Sequence, residues 1–179
     1  MRFISLLASS ALFATLTFGG EFTLHSNDLE GQLTTKQVFS GFGCSGENIS
    51  PELHWSDAPK GTKSFALTVY DPDAPTGSGW WHWVVFNLPA SLTSLASDFG
   101  NTAKKQPISA TQSITDFGKA GFGGACPPVG DKPHRYMFTV HALNIDHLDL
   151  DEKASPALVG YMINAHSIGK ATIVSYYGR

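Results

Sequence analysis

The sequence predicts a mainly β domain, a Greek-key pair of antiparallel or mixed sheets with one or two peripheral helices. Three observations predict it. Aromatic residues make up 12% of the 179 residues, with 12 Phe and 4 Trp, a composition that suits pleated, half-buried surfaces. Only 15% of residues are charged, against 18 Gly and 10 Pro, which argues against a helical bundle or coiled coil. Short alternating segments joined by irregular loops recur along the chain. The 42% hydrophobic fraction can fill a core, and the length fits one domain. Lys and Arg number 12 against 15 Asp and Glu, with no basic run, so no nucleic-acid partner is expected.

Residues 1–19 read as a secretory signal peptide. Arg2 supplies the positive start, and Phe3 to Phe18 is an uncharged run rich in Leu, Ala and Phe. Thr17 and Gly19 are the small residues of a cleavage site that leaves Gly20 as the new N-terminus. The run is shorter than the roughly 20 residues that a membrane span requires, and no later run is longer, so no stable span is expected. The remaining single domain, 20–179, is therefore expected in the periplasm or outside the cell. In such a compartment the two cysteines, Cys44 and Cys126, predict one disulfide, with two free buried thiols as the alternative.

Within that domain, residues 22–26 alternate as a short strand. Ser40 to Gly46 is a Gly-rich loop, and Leu53-His54-Trp55 is extended before a turn at Ala58-Pro59-Lys60-Gly61. Ser64 to Asp71 is the clearest strand, with Phe65, Leu67 and Val69 on one face. Asp71 to Gly79 is a loop. His82 to Leu88 is apolar on both faces and reads as a central strand. Residues 89–120 are mostly loop, 121–133 form a Gly/Pro-rich loop, and Arg135 to Leu143 is a strand. Ser155 as N-cap and Pro156 at the first position open a helix whose apolar spacing is Leu158, Tyr161, Met162 and Ala165, closed by Gly169. Thr172 to Tyr177 is a final strand. The Gly41-x-Gly43-x-x-Gly46 match to a dinucleotide fingerprint is set aside: it follows no clear strand, and Pro51 interrupts the expected helix.

Three polar stretches lie at strand edges: Asp71-Pro72-Asp73-Ala74-Pro75, Trp80-Trp81-His82-Trp83 and Pro133-His134-Arg135-Tyr136. If their strands are neighbours, two Asp and two His converge at one rim of a sheet, where loops on a rigid scaffold usually carry binding sites. Alternation puts His134 and Tyr136 on one face and Arg135 on the other, free to pair with an acidic neighbour such as Asp71. Taken alone, the Asp-Pro-Asp segment reads as a turn and each histidine as structural.

At these residues the chain resembles the phosphatidylethanolamine-binding protein family, also called the Raf-kinase-inhibitor-like family, and within it the bacterial YbhB/YbcL-like branch. The text that carries the resemblance is Tyr70 to Thr76 (YDPDAPT), Gly77 to Val84 (GSGWWHWV), Ala120 to Pro128 (AGFGGACPP) and Pro133 to Tyr136 (PHRY). The resemblance covers nearly all of residues 22–177. It implies a large antiparallel sheet packed on a smaller one, with an anion pocket at one end formed by Asp71, Asp73, His82 and His134, with Tyr136 nearby. It implies a phosphate-type small ligand or phospholipid head group as partner. It also implies a non-proline cis peptide at Ser78–Gly79. The chain ends soon after the last strand, without the longer C-terminal helix of mammalian relatives, so kinase regulation is not carried over.

In such a pocket an Asp beside a His favours the imidazolium form, and N–H groups of the Gly-rich loop would supply further donors to an anion. Two rival chemistries are weaker. Zinc ligation by two His and two Asp lacks a close-spaced His pair or Cys motif. Hydrolysis lacks a Gly-x-Ser-x-Gly elbow around any serine. The expected protein is a binder rather than an enzyme, with no cofactor. A secreted protein-interaction module of inhibitor or effector type is the alternative, and a homodimer is left open.

Overall fold

The computed structural model describes residues 20–179; the signal peptide expected over 1–19 lies outside the described residues. Eleven elements follow in order: β1 Thr23–His25, β2 Ser40–Gly41, β3 Cys44–Ser45, β4 Leu53–Ser56, β5 Ser64–Asp71, β6 Trp80–Pro89, β7 Ser94–Leu95, β8 Thr111–Gln112, β9 His134–Leu143, α1 Pro156–His166 and β10 Ser167–Tyr177. The large sheet has the order β10-β9-β5-β6-β8, and its pairings are antiparallel. A smaller antiparallel sheet has the order β1-β4-β7, and β2 and β3 form a separate two-stranded hairpin.

The main core lies between the two sheets. Leu53 and Trp55 of β4 and Leu95 of β7 pack with Phe65, Leu67 and Val69 of β5 and with Phe138 and Val140 of β9. β5 is paired on both edges and buried on both faces, because its opposite side carries Ala66 into a second cluster beneath α1. That cluster adds Val84, Phe86, Val159 and Ile163. Fully burying such an aliphatic or aromatic side chain contributes about 1.5–3 kcal/mol, so the two clusters hold the large sheet from both sides.

Two details of α1 and β10 differ from the sequence reading. The Ser155 side chain accepts the Leu158 N–H, as an N-cap should, and Pro156 follows it. The buried face, however, is Pro156, Val159 and Ile163, while Leu158 and Tyr161 are exposed. The helix then passes at Ser167 straight into extended backbone, so Gly169 is not its cap. Gly169 sits inside β10, where a Cβ would come 2.6 Å from the Pro59 Cγ. β10 therefore begins five residues earlier than its apolar pattern indicates, at Ser167 rather than Thr172. Its first four residues lie on a sheet-edge strand and put their one large apolar side chain, Ile168, on the exposed side, so the sequence shows no inward-facing apolar pattern there.

His141 on β9 is 8% exposed; its Nε2 lies 3.3 Å from the Thr68 hydroxyl, and its Nδ1 has no partner. Burial, with a smaller push from Lys170, takes its pKa down to about 4. Below pH 6.5 the unfolded chain then binds a proton that the folded chain refuses, so stability falls with pH until about pH 4. At 1.36 kcal/mol per pH unit the full effect is about 3 kcal/mol, of which about 2 kcal/mol acts between pH 7 and pH 4.5. Urea unfolding at those two pH values should show this loss in the parent, and His141→Gln should remove about that much of it. An unchanged pH response in the variant would sink the assignment.

Candidate ligand pocket

The C-terminal end of β5 and the N-terminal ends of β6 and β9 meet at one rim of the large sheet. Between them and the covering loops is a cavity of about 190 Å³. Asp71, His82, His134 and Tyr136 line its floor. All four are nearly inaccessible to solvent.

Asp71 is held by its own turn. Pro72 has no N–H, and the next two amides, of Asp73 and Ala74, donate to Asp71 Oδ1 at 2.8 and 3.1 Å. Oδ2 accepts from His134 Nδ1 at 2.8 Å. The carboxylate thus fixes the histidine's tautomer and ring plane, leaving Nε2 available. That nitrogen lies 3.5 Å from the half-exposed carboxylate of Asp131.

His82 reaches the cavity through a β-bulge. In the β5–β6 ladder Val69 faces Trp83 and Tyr70 faces Trp81, so His82 is the extra residue. Plain alternation would place it with Val84 and Phe86 beneath α1. The bulge instead turns it to the core face beside Trp83, where its ring centroid is 5.1 Å from that of Tyr136. His82 Nδ1 donates to the Gly123 carbonyl at 2.7 Å, again leaving Nε2 available. Burial is the dominant effect on His82 and lowers its pKa below the ordinary 6.5, against smaller opposing contributions from Gly123 and Asp71. The imidazolium that the sequence reading expects to be supported by Asp thus meets an opposing effect at His82, where burial favours the neutral ring. Tyr136 is likewise held in its neutral phenol form by burial.

Asp73 is used differently. Its carboxylate forms a two-toothed pair with Arg135, Nε to Oδ2 and Nη2 to Oδ1 at 2.8 Å each, and also accepts the Arg135 N–H at 3.0 Å. This guanidinium holds the Asp73 carboxyl well below the usual carboxylate range. Arg135 thus pairs with Asp73 rather than with Asp71, whose partner is His134. Asp73 is not among the residues that line the cavity. Its role there is to hold the 72–76 turn against β9.

The walls are apolar: Phe42, Pro75, Trp80, Phe117, Pro127 and Pro128. Phe42 comes from the β2–β3 hairpin, and its ring lies nearly parallel to Phe117, with centroids 5.8 Å apart. The Cys44–Cys126 disulfide fastens this hairpin to the adjoining 126–128 loop, which also lines the cavity. Arg179 adds a second fastening, donating from Nε to the Pro127 carbonyl at 2.7 Å and from Nη1 to that of Gly43 at 2.9 Å. Neither Phe42 nor Phe117 belongs to a polar motif; the usable signal for Phe42 is its position two residues before a tethered cysteine.

Two further expectations are corrected. Gly123 and Gly124 do not present their N–H groups to an anion: Gly123 donates to the His82 carbonyl at 2.8 Å, and Gly124 donates to Asn48 Oδ1 at 2.7 Å. A Cβ at Gly124 would lie 2.2 Å from the Gln37 carbonyl, so this loop is pressed flat against residues 37–39. The Ser78–Gly79 peptide is trans, not cis. The turn is made by Gly79 at φ 67°, where any Cβ would strike the Tyr70 hydroxyl at 2.2 Å. Among the described residues, no group of three or more His, Cys, Asp or Glu is arranged to hold a metal ion.

The fold and this cavity define a two-sheet β protein with a histidine-floored pocket at one end of its large sheet. The chain belongs to the phosphatidylethanolamine-binding protein family, whose profile matches residues 27–178. It is 55% identical to the UPF0098 protein YbcL of Escherichia coli, over 96% of this chain and 97% of that one. It is 53% identical to YbhB of the same organism, over 86% of this chain and 98% of that one. The crystal structure of E. coli YbcL, described as a new member of the mammalian PEBP family, superposes with a TM-score of 0.87, covering 89% of this chain and 99% of that chain. The Chlamydia trachomatis homologue CT736 superposes with a TM-score of 0.73 at 29% identity, covering 89% of this chain and 98% of that chain.

Proposed function

We propose that this protein is an exported binder of phosphate-type anionic groups, free or carried on a lipid head group, and not an enzyme. The observation that supports it most is the pair of histidines, each with Nδ1 committed to a fixed acceptor; Nε2 of His82 is left to a ligand, and that of His134 faces the half-exposed Asp131 carboxylate, which a ligand would displace. Family membership supports it too, since the family is named for binding a phospholipid. The leader-like residues 1–19 support export. The lining offers little for covalent chemistry: Cys126 is in the disulfide, and the Thr76 hydroxyl donates to the Gly79 carbonyl.

With Nδ1–H already donating, a neutral histidine offers a lone pair at Nε2, which repels an anion unless a proton bridges them. A phosphate monoanion brings one as P–OH; a dianion requires the site to take one from solvent. Free His82 is neutral because burial lowers its pKa, so binding of a dianion draws in a proton near neutral pH. The sign follows: affinity for phosphate or phosphoethanolamine rises as pH falls from 8.5 to 5.5. Calorimetry in buffers of different ionisation enthalpy should report proton uptake, and a chelator should change nothing. His134→Ala removes one charged hydrogen bond, worth about 1.5–3 kcal/mol, and should weaken binding roughly ten- to hundredfold. A pH-independent affinity without proton uptake would refute the reading. Material recovered from the periplasm should begin at Gly20; an intact residue 1 would refute its export half.

A further inference from the structure

On the opposite face of the large sheet a second cavity, of about 170 Å³, lies between the strands and α1. We propose that it binds a small aromatic monocarboxylate, with the ring against Trp81 and Ile163 and the carboxylate at Lys170 and His141. This site does not depend on the anion reading of the first cavity.

Four observations carry it. The first is size: a cavity of roughly 150 Å³ holds one benzene ring, and this one is slightly larger. The second is the wall. Tyr70 and Trp81 pack with ring centroids 4.5 Å apart, and Ile163 of α1 lines the same space. Gly160 also borders it, inside the helix, where glycine is a poorer helix former than alanine. A Cβ at Gly160 would meet only Trp81, at 4.0 Å, so the glycine is not forced by packing; it keeps the space over the indole open.

The third is an unmet hydrogen bond. His141 lines the cavity, is more than nine-tenths buried, and has no partner at Nδ1. That nitrogen is covered by the surrounding protein, so seating the ligand includes a turn of the imidazole that brings it to the carboxylate and relieves the unpaired atom. The fourth is charge. Lys170 stands directly opposite His141 in the β9–β10 ladder and lines the same cavity, and no acidic side chain does. One cation beside a neutral imidazole and threonine hydroxyls matches a single negative charge, and it disfavours an amine or a phosphate dianion.

The test is a titration of the ¹⁵N-labelled protein with benzoate, in excess inorganic phosphate, read by amide and indole chemical shifts. Saturable shifts are expected at the Trp81 indole, Gly160 and Lys170. Benzyl alcohol, the same ring without the charge, should bind about tenfold more weakly, and Lys170→Gln should cost benzoate about tenfold. Gly160→Met fills the space and should abolish the benzoate shifts while the remaining spectrum stays dispersed. Absence of saturable shifts, shifts confined to Gly123 and Phe117, or equal binding of benzyl alcohol would each overturn the proposal. The Lys170→Gln variant keeps the test decisive if Gly160→Met does not fold.

Discussion

Replacing both Cys44 and Cys126 with alanine should lower the unfolding free energy by about 4 kcal/mol, on the chain-entropy account of a cross-link between residues 82 apart. The loop is long because the bond joins the β2–β3 hairpin to the segment just before β9, and everything between is held in one closed ring. The same change should reach the pocket. Phe42 and Cys126 both line it, and without the bond the hairpin is held mainly by Arg179 and by backbone pairing. Phosphate affinity should therefore drop along with stability. Denaturant unfolding and calorimetry on the double variant measure the two effects; a stability within 1 kcal/mol of the parent would contradict the account.

Asp71 carries the other large effect. Its carboxylate accepts two turn amides and the buried His134, so Asp71→Ala leaves three donors without their acceptor. Removing one partner of a buried ion or hydrogen-bonded pair costs about 3–5 kcal/mol, and this variant should unfold correspondingly earlier in denaturant. Asp71→Asn is the sharper probe of binding. The amide oxygen can still receive the two turn N–H groups, but its NH₂ then confronts His134 Nδ1. The ring must switch tautomer, and its hydrogen bond to a carboxylate becomes a weaker one to a neutral amide. Phosphate affinity at pH 6 should fall about tenfold, even though a negative charge has been removed. Simple repulsion predicts tighter binding, and that result would defeat the model.

The sequence made β5 legible to the residue because turn chemistry bounds it on both sides and both of its faces are buried. Asp71, His82 and His134 were legible as a group because each sits at a strand end. What escaped was whatever depends on partners far along the chain. The bulge at His82 is a property of the β5–β6 register, not of any residue type. The preference of His82 for its neutral form follows from burial, and its Nδ1 is committed to the carbonyl of Gly123, 41 residues further on. Arg135 chose Asp73 over Asp71 because β9 alternates, so that neighbours on the strand serve opposite faces. The helix face went wrong because Leu158 and Tyr161, apolar by type, point to solvent.

The bulge at His82 has a meaning for how this architecture can vary over evolutionary time. Tyr70 and Asp71, Trp81 and His82, and Tyr136 and Met137 are sequence neighbours, and in each pair one residue lines the first cavity and the other the second. Three strands are thus written on both sides at once. A single inserted or deleted residue in any of them would exchange the two inscriptions, exposing apolar walls and burying the wrong polar groups in both places together. Length changes are then tolerable only in the connecting loops. The added residue at His82 could have been accepted only together with the side chains on both faces that suit its altered parity.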